Sequence, residues 1–320
     1  MEKLQNVQLN LNIEALLLLN LILAIIMFGV ALDLRFRDFK IIFHLPRAPL
    51  IGLVAQFLLL PAFTYLLVQL LEPEPGMALG MILVATCPGG NVSNVMTHLA
   101  RGNTALSVSM TAISSAAAVL LTPLNFAFWG SLDPAHAALL QELDVNPLQI
   151  FFSVVLVLGV PLVVGMTVAA RFPGFAARAR NHIRYLSYFF FLGFIAVAFA
   201  MNADYFVEFI GLIFLGVFLH NAMGFLLGYG SARLLRIQER DARAISLETG
   251  IQNAGLALAL VLTYFADQGG MAIIAGWYGI WELIAGLLLA AIWARNGSAK
   301  GEGLSHRAAA KDGAGNSREE

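Results

Sequence analysis

The stretch CPGGNVSN, residues 87–94, stands inside a hydrophobic run otherwise fit to cross a membrane. Ser93 and Asn94 offer oxygen ligands there, and the following segment carries Ser107 and Thr111. An i,i+4 pair of this kind projects both hydroxyls from one helix face. A second interruption, SLETGIQNAGLA at 246–257, holds the carboxylate Glu248 and the amides Gln252 and Asn253. Gln56 is a polar side chain within VAQFLLLP. Hydroxyl, amide and carboxylate oxygens, with no imidazole or thiolate among them, suit an alkali or alkaline-earth ion rather than zinc or iron. A single membrane Ser or Thr is more often interhelical glue than a ligand. Glu248 differs, because an ionisable group at bilayer depth marks a functional site by default.

Three other polar groups lie in apolar surroundings. His220, in LHNAMGF, and His98, after the first interruption, could relay protons or touch substrate; a lone membrane histidine more often faces a neighbouring helix. Glu282, in WELIAG, is a second intramembrane carboxylate with no Lys or Arg at matching depth. It is expected either to face water or to carry a proton.

Elements that position such residues follow from composition. The 320 residues are 59% hydrophobic and 12% charged, with mean hydropathy +0.78. A soluble domain carries about 25% charge, so the chain reads as an all-α polytopic membrane protein. A net charge of −1 and the lack of a basic stripe argue against nucleic acid as a partner. Cys87 is the only cysteine, which excludes an intrachain disulfide or a cysteine metal cluster. The N-terminal MEKLQNVQLNLNIEALLLL does not read as a secretory signal, since Glu14 interrupts it and no small-residue cleavage site follows.

A spanning helix needs about 20 apolar residues. That ruler predicts roughly nine spans, near 11–33, 47–71, 77–99, 104–129, 148–170, 184–201, 207–233, 244–265 and 271–294. Basic residues mark alternate loops: Arg35, Arg37, Lys40 and Arg47; Arg101; Arg171, Arg178, Arg180 and Arg184; Arg233, Arg236, Arg240 and Arg243; Arg295 and Lys300. The loops between are acidic or neutral, as in EPEPG at 72–76 and ADQGG at 266–270. The pattern predicts an outside N-terminus, a cytoplasmic C-terminus and an odd number of spans. Residues 296–320, rich in Gly, Ser, Ala and charge, are expected to form a disordered cytoplasmic tail.

The two interruptions fall near the middle of the spans at 77–99 and 244–265, which run in opposite directions. Irregular backbone at that depth survives only when buried in protein or lining a cavity. Two broken helices of opposed direction indicate inverted repeats, here 1–130 with four spans and 145–295 with five. Half-helix N-termini suit an anion, and freed carbonyls suit a hard cation.

CPGGNVSNV, LARGNTALSVSMT and ETGIQNAGLA together resemble signature segments of the bile acid:sodium symporter family. The resemblance runs from IMFGVALDL near the start to WELIAGLLLA at 281–290. It implies a core domain built on two crossing discontinuous helices, rocking against a panel domain, and two sodium ions accompanying an organic anion. By the same resemblance one sodium site comprises Ser93, Asn94, Ser107, Thr111 and Glu248. The other comprises Gln56, Glu248 and Gln252 with the carbonyls of Thr249 and Ile251. Two departures stand out: the chain lacks the first of ten spans that many bacterial members have, and Glu282-Leu283 replaces a His-Asn pair close to the substrate.

The reading is a sodium-coupled symporter of an organic anion in a bacterial plasma membrane, working by alternating access. Asn91, Asn253, His220 and Glu282 are expected to face the substrate, and no obligate protein partner is evident. A proton-coupled or uncoupled carrier using Glu248 or Glu282 is the alternative. An intramembrane enzyme is remote: Ser93 and His98, five residues apart on one helix, point to different faces. The residues Asp33, Asp133, Asp144, Asp204, Asp241 and Asp267 fall at span ends or in loops, not as an intramembrane pair.

Overall fold

The computed structural model describes residues 47–142, 155–179, 203–265 and 268–315 continuously, with residues 151 and 152 and scattered positions in 21–32 and 182–193. The expected spans at 11–33 and 184–201, and part of that at 148–170, lie for the most part outside the described residues. Among the described residues the regular structure is helical, apart from one isolated antiparallel bridge between Gly89 and Gln252.

Helix α1 runs Arg47–Leu71 and contains a π turn at Ala55–Leu59. Pro61 explains the turn. Its ring would strike the carbonyl four residues back in a regular α-helix, and one wider turn relieves that clash. The same local cause recurs where a π turn at Val155–Gly159 precedes Pro161.

The expected span near 77–99 divides into α2, Pro75–Thr86, and α3, Val92–Leu99. Proline forces the residue before it out of the helical region, and Cys87 is extended at φ −73°, ψ 158°. Helix α4, Thr104–Ser131, follows, capped by Asn103, whose Oδ1 accepts the Leu106 N–H at 3.2 Å. Helix α5 is Pro134–Glu142. Helix α6, Val160–Arg171, turns by 119° into a short helix, Pro173–Ala179. Helix α7 is Ala203–Leu234.

The span near 244–265 divides in turn into α8, Glu239–Gly250, and α9, Ala254–Tyr264, with Ile251 extended between them. Helix α10 runs Gly269–Gly315, and its apolar part ends at Arg295.

Among the described residues four stretches are long and apolar enough to cross a bilayer, namely α1, α4, Ile213–Leu234 of α7 and Gly269–Arg295 of α10, and the bent pair of α6 with Pro173–Ala179 makes a fifth if it is one span. Helices α2 and α9 are too short to span alone because each is half of a broken span. They are apolar all round, and every residue of α2 from Gly76 to Thr86 is buried. Such a helix belongs in the middle of a bundle, and the main core gathers α2, α9 and facing residues of α10.

Helix α7 lies along α8 by way of Gly224 and Gly228. A Cβ on Gly224 would stand 2.9 Å from the Gly250 Cα, and one on Gly228 would stand 2.8 Å from the Ile245 carbonyl. Small residues four apart let two membrane helices approach this closely. The opposite end of α8 is tied down by Arg243. Its guanidinium donates to the carbonyls of Ala100 at 2.9 Å and Trp293 at 3.3 Å, and pairs with Glu239 at 2.9 Å.

Candidate functional site

The two interruptions meet face to face. Gly90 N–H donates to the Ile251 carbonyl at 2.9 Å, and Asn253 N–H donates to the Pro88 carbonyl at 2.8 Å. This reciprocal pair is a two-rung antiparallel ladder between chain segments that leave helices in opposite directions. It satisfies backbone groups which hydrocarbon could not. Side chains are excluded by contact: a Cβ on Gly90 would lie 2.5 Å from the Gln252 carbonyl, and one on Gly89 would collide with Glu248 Oε1.

Around the crossing, oxygens from three helices converge. Ser93, in the first turn of α3, donates to Glu248 Oε2 at 2.5 Å. Ser107 on α4 donates to Asn94 Oδ1 at 2.8 Å and reaches Glu248 Oε2 at 3.3 Å. Thr111, one turn further along α4, reaches Asn94 Oδ1 at 3.3 Å. The i,i+4 spacing thus puts both hydroxyls on one asparagine. Thr97 joins the group through its 3.3 Å bond to Ser107.

Glu248 is 1% exposed, and among the described residues no Lys, Arg or His pairs with it. Its Oε1 has no hydrogen-bond partner. A buried carboxylate oxygen without donor or counter-charge is costly. The chemistry of the surrounding oxygens suits a hard monovalent or divalent cation at that position.

A second group forms beside the first. Gln56, in the π turn of α1, donates to the Cys87 carbonyl at 2.8 Å and to Gln252 Oε1 at 2.6 Å. Gln252 Nε2 donates to the Thr249 carbonyl at 2.6 Å. The Ile251 carbonyl accepts one N–H from Gly90, and a carbonyl has two lone pairs. Thr249 and Ile251 therefore each keep acceptor capacity at the break.

Asn91 and Asn253 occupy the N-cap positions of α3 and α9, both partly exposed. Asn253 Oδ1 accepts the Leu256 N–H at 3.0 Å, while Asn91 makes no such cap. Glu282 is 4% exposed and accepts the Gln252 N–H at 2.7 Å. Of the two expectations for this carboxylate, facing water does not describe it. It closes a backbone donor at the crossing. His220 makes no hydrogen bond with any of these groups: both ring nitrogens are buried without partners, and the ring lies 5.0 Å from that of Tyr278.

Residues that sequence reasoning passed over also serve the site. Asn221 and Tyr278 both bond the Gly250 carbonyl, and Thr122 bonds the Thr86 carbonyl at the end of α2 at 2.7 Å. A polar residue in an apolar span was the available signal, and Asn221 beside His220 carries it.

A family model described as the sodium bile acid symporter family matches residues 20–209. The chain is 34% identical over 277 residues to the uncharacterized sodium-dependent transporter YocS of Bacillus subtilis, covering 87% of this chain and 83% of that protein. It is 30% identical over 278 residues to the probable chloroplastic sodium/metabolite cotransporter BASS1 of Arabidopsis thaliana, covering 86% and 66% of the two chains. Against the sodium/bile acid cotransporter 5 of Rattus norvegicus it is 27% identical over 266 residues, 82% of this chain and 59% of the other. The plant and rat proteins are the longer ones, and this chain spans about two thirds or less of their length.

Proposed function

The chain belongs to the sodium bile acid symporter family, a family of sodium-dependent transporters, and we propose that within it this protein is a symporter carrying two sodium ions with one organic anion. The observation that carries the proposal is Glu248: a buried carboxylate with one orphaned oxygen, set among Ser93, Asn94, Ser107 and Thr111. Those five residues hold the first sodium. Glu248 is shared with the second, which Gln56, Gln252 and the carbonyls of Thr249 and Ile251 complete.

Sodium comes before the anion in this scheme. Filling the first site neutralises Glu248 and draws α3, α4 and α8 together. Filling the second turns the Gln56 and Gln252 amide oxygens inward, in place of the amide-to-amide bond that now joins them. The half-helix N-termini at Asn91 and Asn253, each worth about half a positive charge, then receive the anion. Glu282 and His220 bound the same region and tune which anion fits. The repeats 1–130 and 145–295 form an inverted pair, and the loaded core rocks against the remaining helices to alternate access. The N-terminus lies outside a bacterial plasma membrane and the C-terminus in the cytoplasm.

The test is calorimetric. Purified protein is titrated with a panel of organic carboxylates and sulfonates in sodium, potassium and choline buffers. Anion binding that appears in sodium alone supports the scheme, whereas anion affinity equal in choline and sodium defeats it.

A further inference from the structure

Three consecutive carbonyls are released where α8 stops, and each goes to a different neighbour. Thr249 O accepts the Gln252 amide at 2.6 Å, inside the second cation group. Ile251 O accepts Gly90 N–H from the facing break at 2.9 Å. Gly250 O, between them, accepts two donors: Asn221 Nδ2 from α7 at 2.7 Å and the Tyr278 hydroxyl from α10 at 3.0 Å. A carbonyl oxygen has two lone pairs. Gly250 O is therefore fully subscribed, while Thr249 O and Ile251 O each keep a lone pair free for a cation.

We propose that Asn221 and Tyr278 are positioning residues for the second cation: by saturating the Gly250 carbonyl they withdraw it from the site and aim its two neighbours. The inference rests on the two-sodium reading and extends it to groups that touch no ion.

The surroundings are built for this. Asn221 and Tyr278 are both 0% exposed. The Asn221 Nδ2 donates to Gly250 O and, at 3.4 Å, to the Tyr278 hydroxyl, while Oδ1 is left without a partner; a buried amide satisfied at one end only calls for an explanation beyond general stability. Gly224, three residues on and one turn along the same face of α7, brings the helix within contact of Gly250, so that Asn221 reaches its target. The His220 ring packs against that of Tyr278 at 5.0 Å. Gly250 itself has no room for a side chain, since a Cβ there would collide with Phe225.

Coordination by carbonyls is sensitive to their number and direction. Tyr278→Phe returns one lone pair to Gly250 O and loosens the turn. The expected result is a rise in half-saturating sodium of about three- to ten-fold, the scale of one lost hydrogen bond. Discrimination of sodium against lithium falls as well. Anion affinity at saturating sodium stays unchanged.

Sodium and lithium titrations of thermal unfolding, and of uptake by reconstituted protein, read these quantities. Ser246→Ala is the control. It removes a buried hydroxyl-to-carbonyl bond of 2.8 Å, to Phe225 O, in the same α7–α8 interface but away from the break. Tyr278→Phe that shifts sodium dependence and the sodium-to-lithium ratio no more than Ser246→Ala does overturns the inference. If Glu248→Ala still abolishes sodium dependence in that experiment, the two-sodium reading stands without it. Sodium dependence that survives Glu248→Ala overturns both.

Discussion

The amide of Gly90 donates to the carbonyl of Ile251 at 2.9 Å, joining two chain segments 161 residues apart at the one place where both leave helical geometry. Each break supplies a donor and an acceptor to the other. Neither interruption could stand at bilayer depth alone, because its freed groups would have no partner.

Gly90→Ala should therefore disable the crossing. Its Cβ would sit 2.5 Å from the Gln252 carbonyl, against backbone that cannot yield cheaply, and overpacking of this kind costs about 1–3 kcal/mol. Loss of sodium-dependent uptake with a lowered unfolding temperature is expected. Gly230→Ala is the counterpart, with open space around it; in a helix interior it should gain about 0.5–1 kcal/mol. Equal behaviour of the two variants by thermal shift and uptake would count against the close approach.

The cation groups should separate by mutation. Glu248→Ala removes the carboxylate proposed to serve both sodium ions, so sodium-induced stabilisation should vanish. Gln56→Ala, whose side chain bonds Gln252 and Cys87 but none of the first group, should reduce the sodium Hill coefficient toward one while leaving a residual response. A thermal-shift titration distinguishes the two. Identical residual responses in both variants would mean that Glu248 is not shared.

Arg243 should matter for stability through its bonds to Ala100, Trp293 and Glu239. Charged hydrogen bonds of this kind contribute about 1.5–3 kcal/mol in all but exposed settings, so Arg243→Ala should unfold at lower temperature. A pH signature follows. Partial burial pushes the Glu239 carboxyl up, but hydrogen bonds from Arg243 and Tyr229 outweigh it and hold the group below its ordinary value. A depressed carboxylate stabilises the fold above its unfolded pKa, about 4.3 for Glu, and the contribution disappears as pH falls through the folded value. Unfolding temperature should decline more steeply below about pH 4.3 in the native chain than in Arg243→Ala. Parallel curves would contradict the link.

Much of this was legible in residue types. Pro88 with Gly89 and Gly90, and Gly250 near Gln252 and Asn253, announced the breaks because helix formers were missing where hydrocarbon demands them. Glu248 and the pair Ser107 and Thr111 announced the oxygen cluster, since four-residue spacing fixes one face. The ladder between Gly90 and Ile251 was not legible, because sequence carries no register between distant extended segments. Nor was the π turn that holds Gln56, which Pro61 explains only in retrospect. Glu282 looked orphaned for want of Lys or Arg, but its partner is a backbone N–H, which any residue supplies. The Asn221–Tyr278 hold on Gly250 depends on how three helices pack.

Orientation is open to a simple experiment. The proposed topology, with the basic loops at Arg101, Arg171–Arg184 and Arg233–Arg243 on the cytoplasmic side, predicts a cytoplasmic C-terminus. Reporter fusions at residue 300 should be active with a cytoplasmic reporter and silent with a periplasmic one. The reverse pattern would overturn the inverted-repeat assignment together with the odd number of spans.

Voltage-dependent uptake tests the central claim most directly. Two sodium ions entering with one monovalent anion move one net positive charge, and each charge is worth about 2.3 kcal/mol per 100 mV. Proteoliposomes holding the purified chain are given a sodium gradient, with or without a potassium-diffusion potential that is negative inside, and uptake of a monovalent anion identified by calorimetry is followed. The account predicts uptake that requires sodium, accelerates with the negative interior and disappears in Glu248→Ala. Uptake at the same rate with and without the potential, or full sodium-dependent uptake by Glu248→Ala, would contradict it.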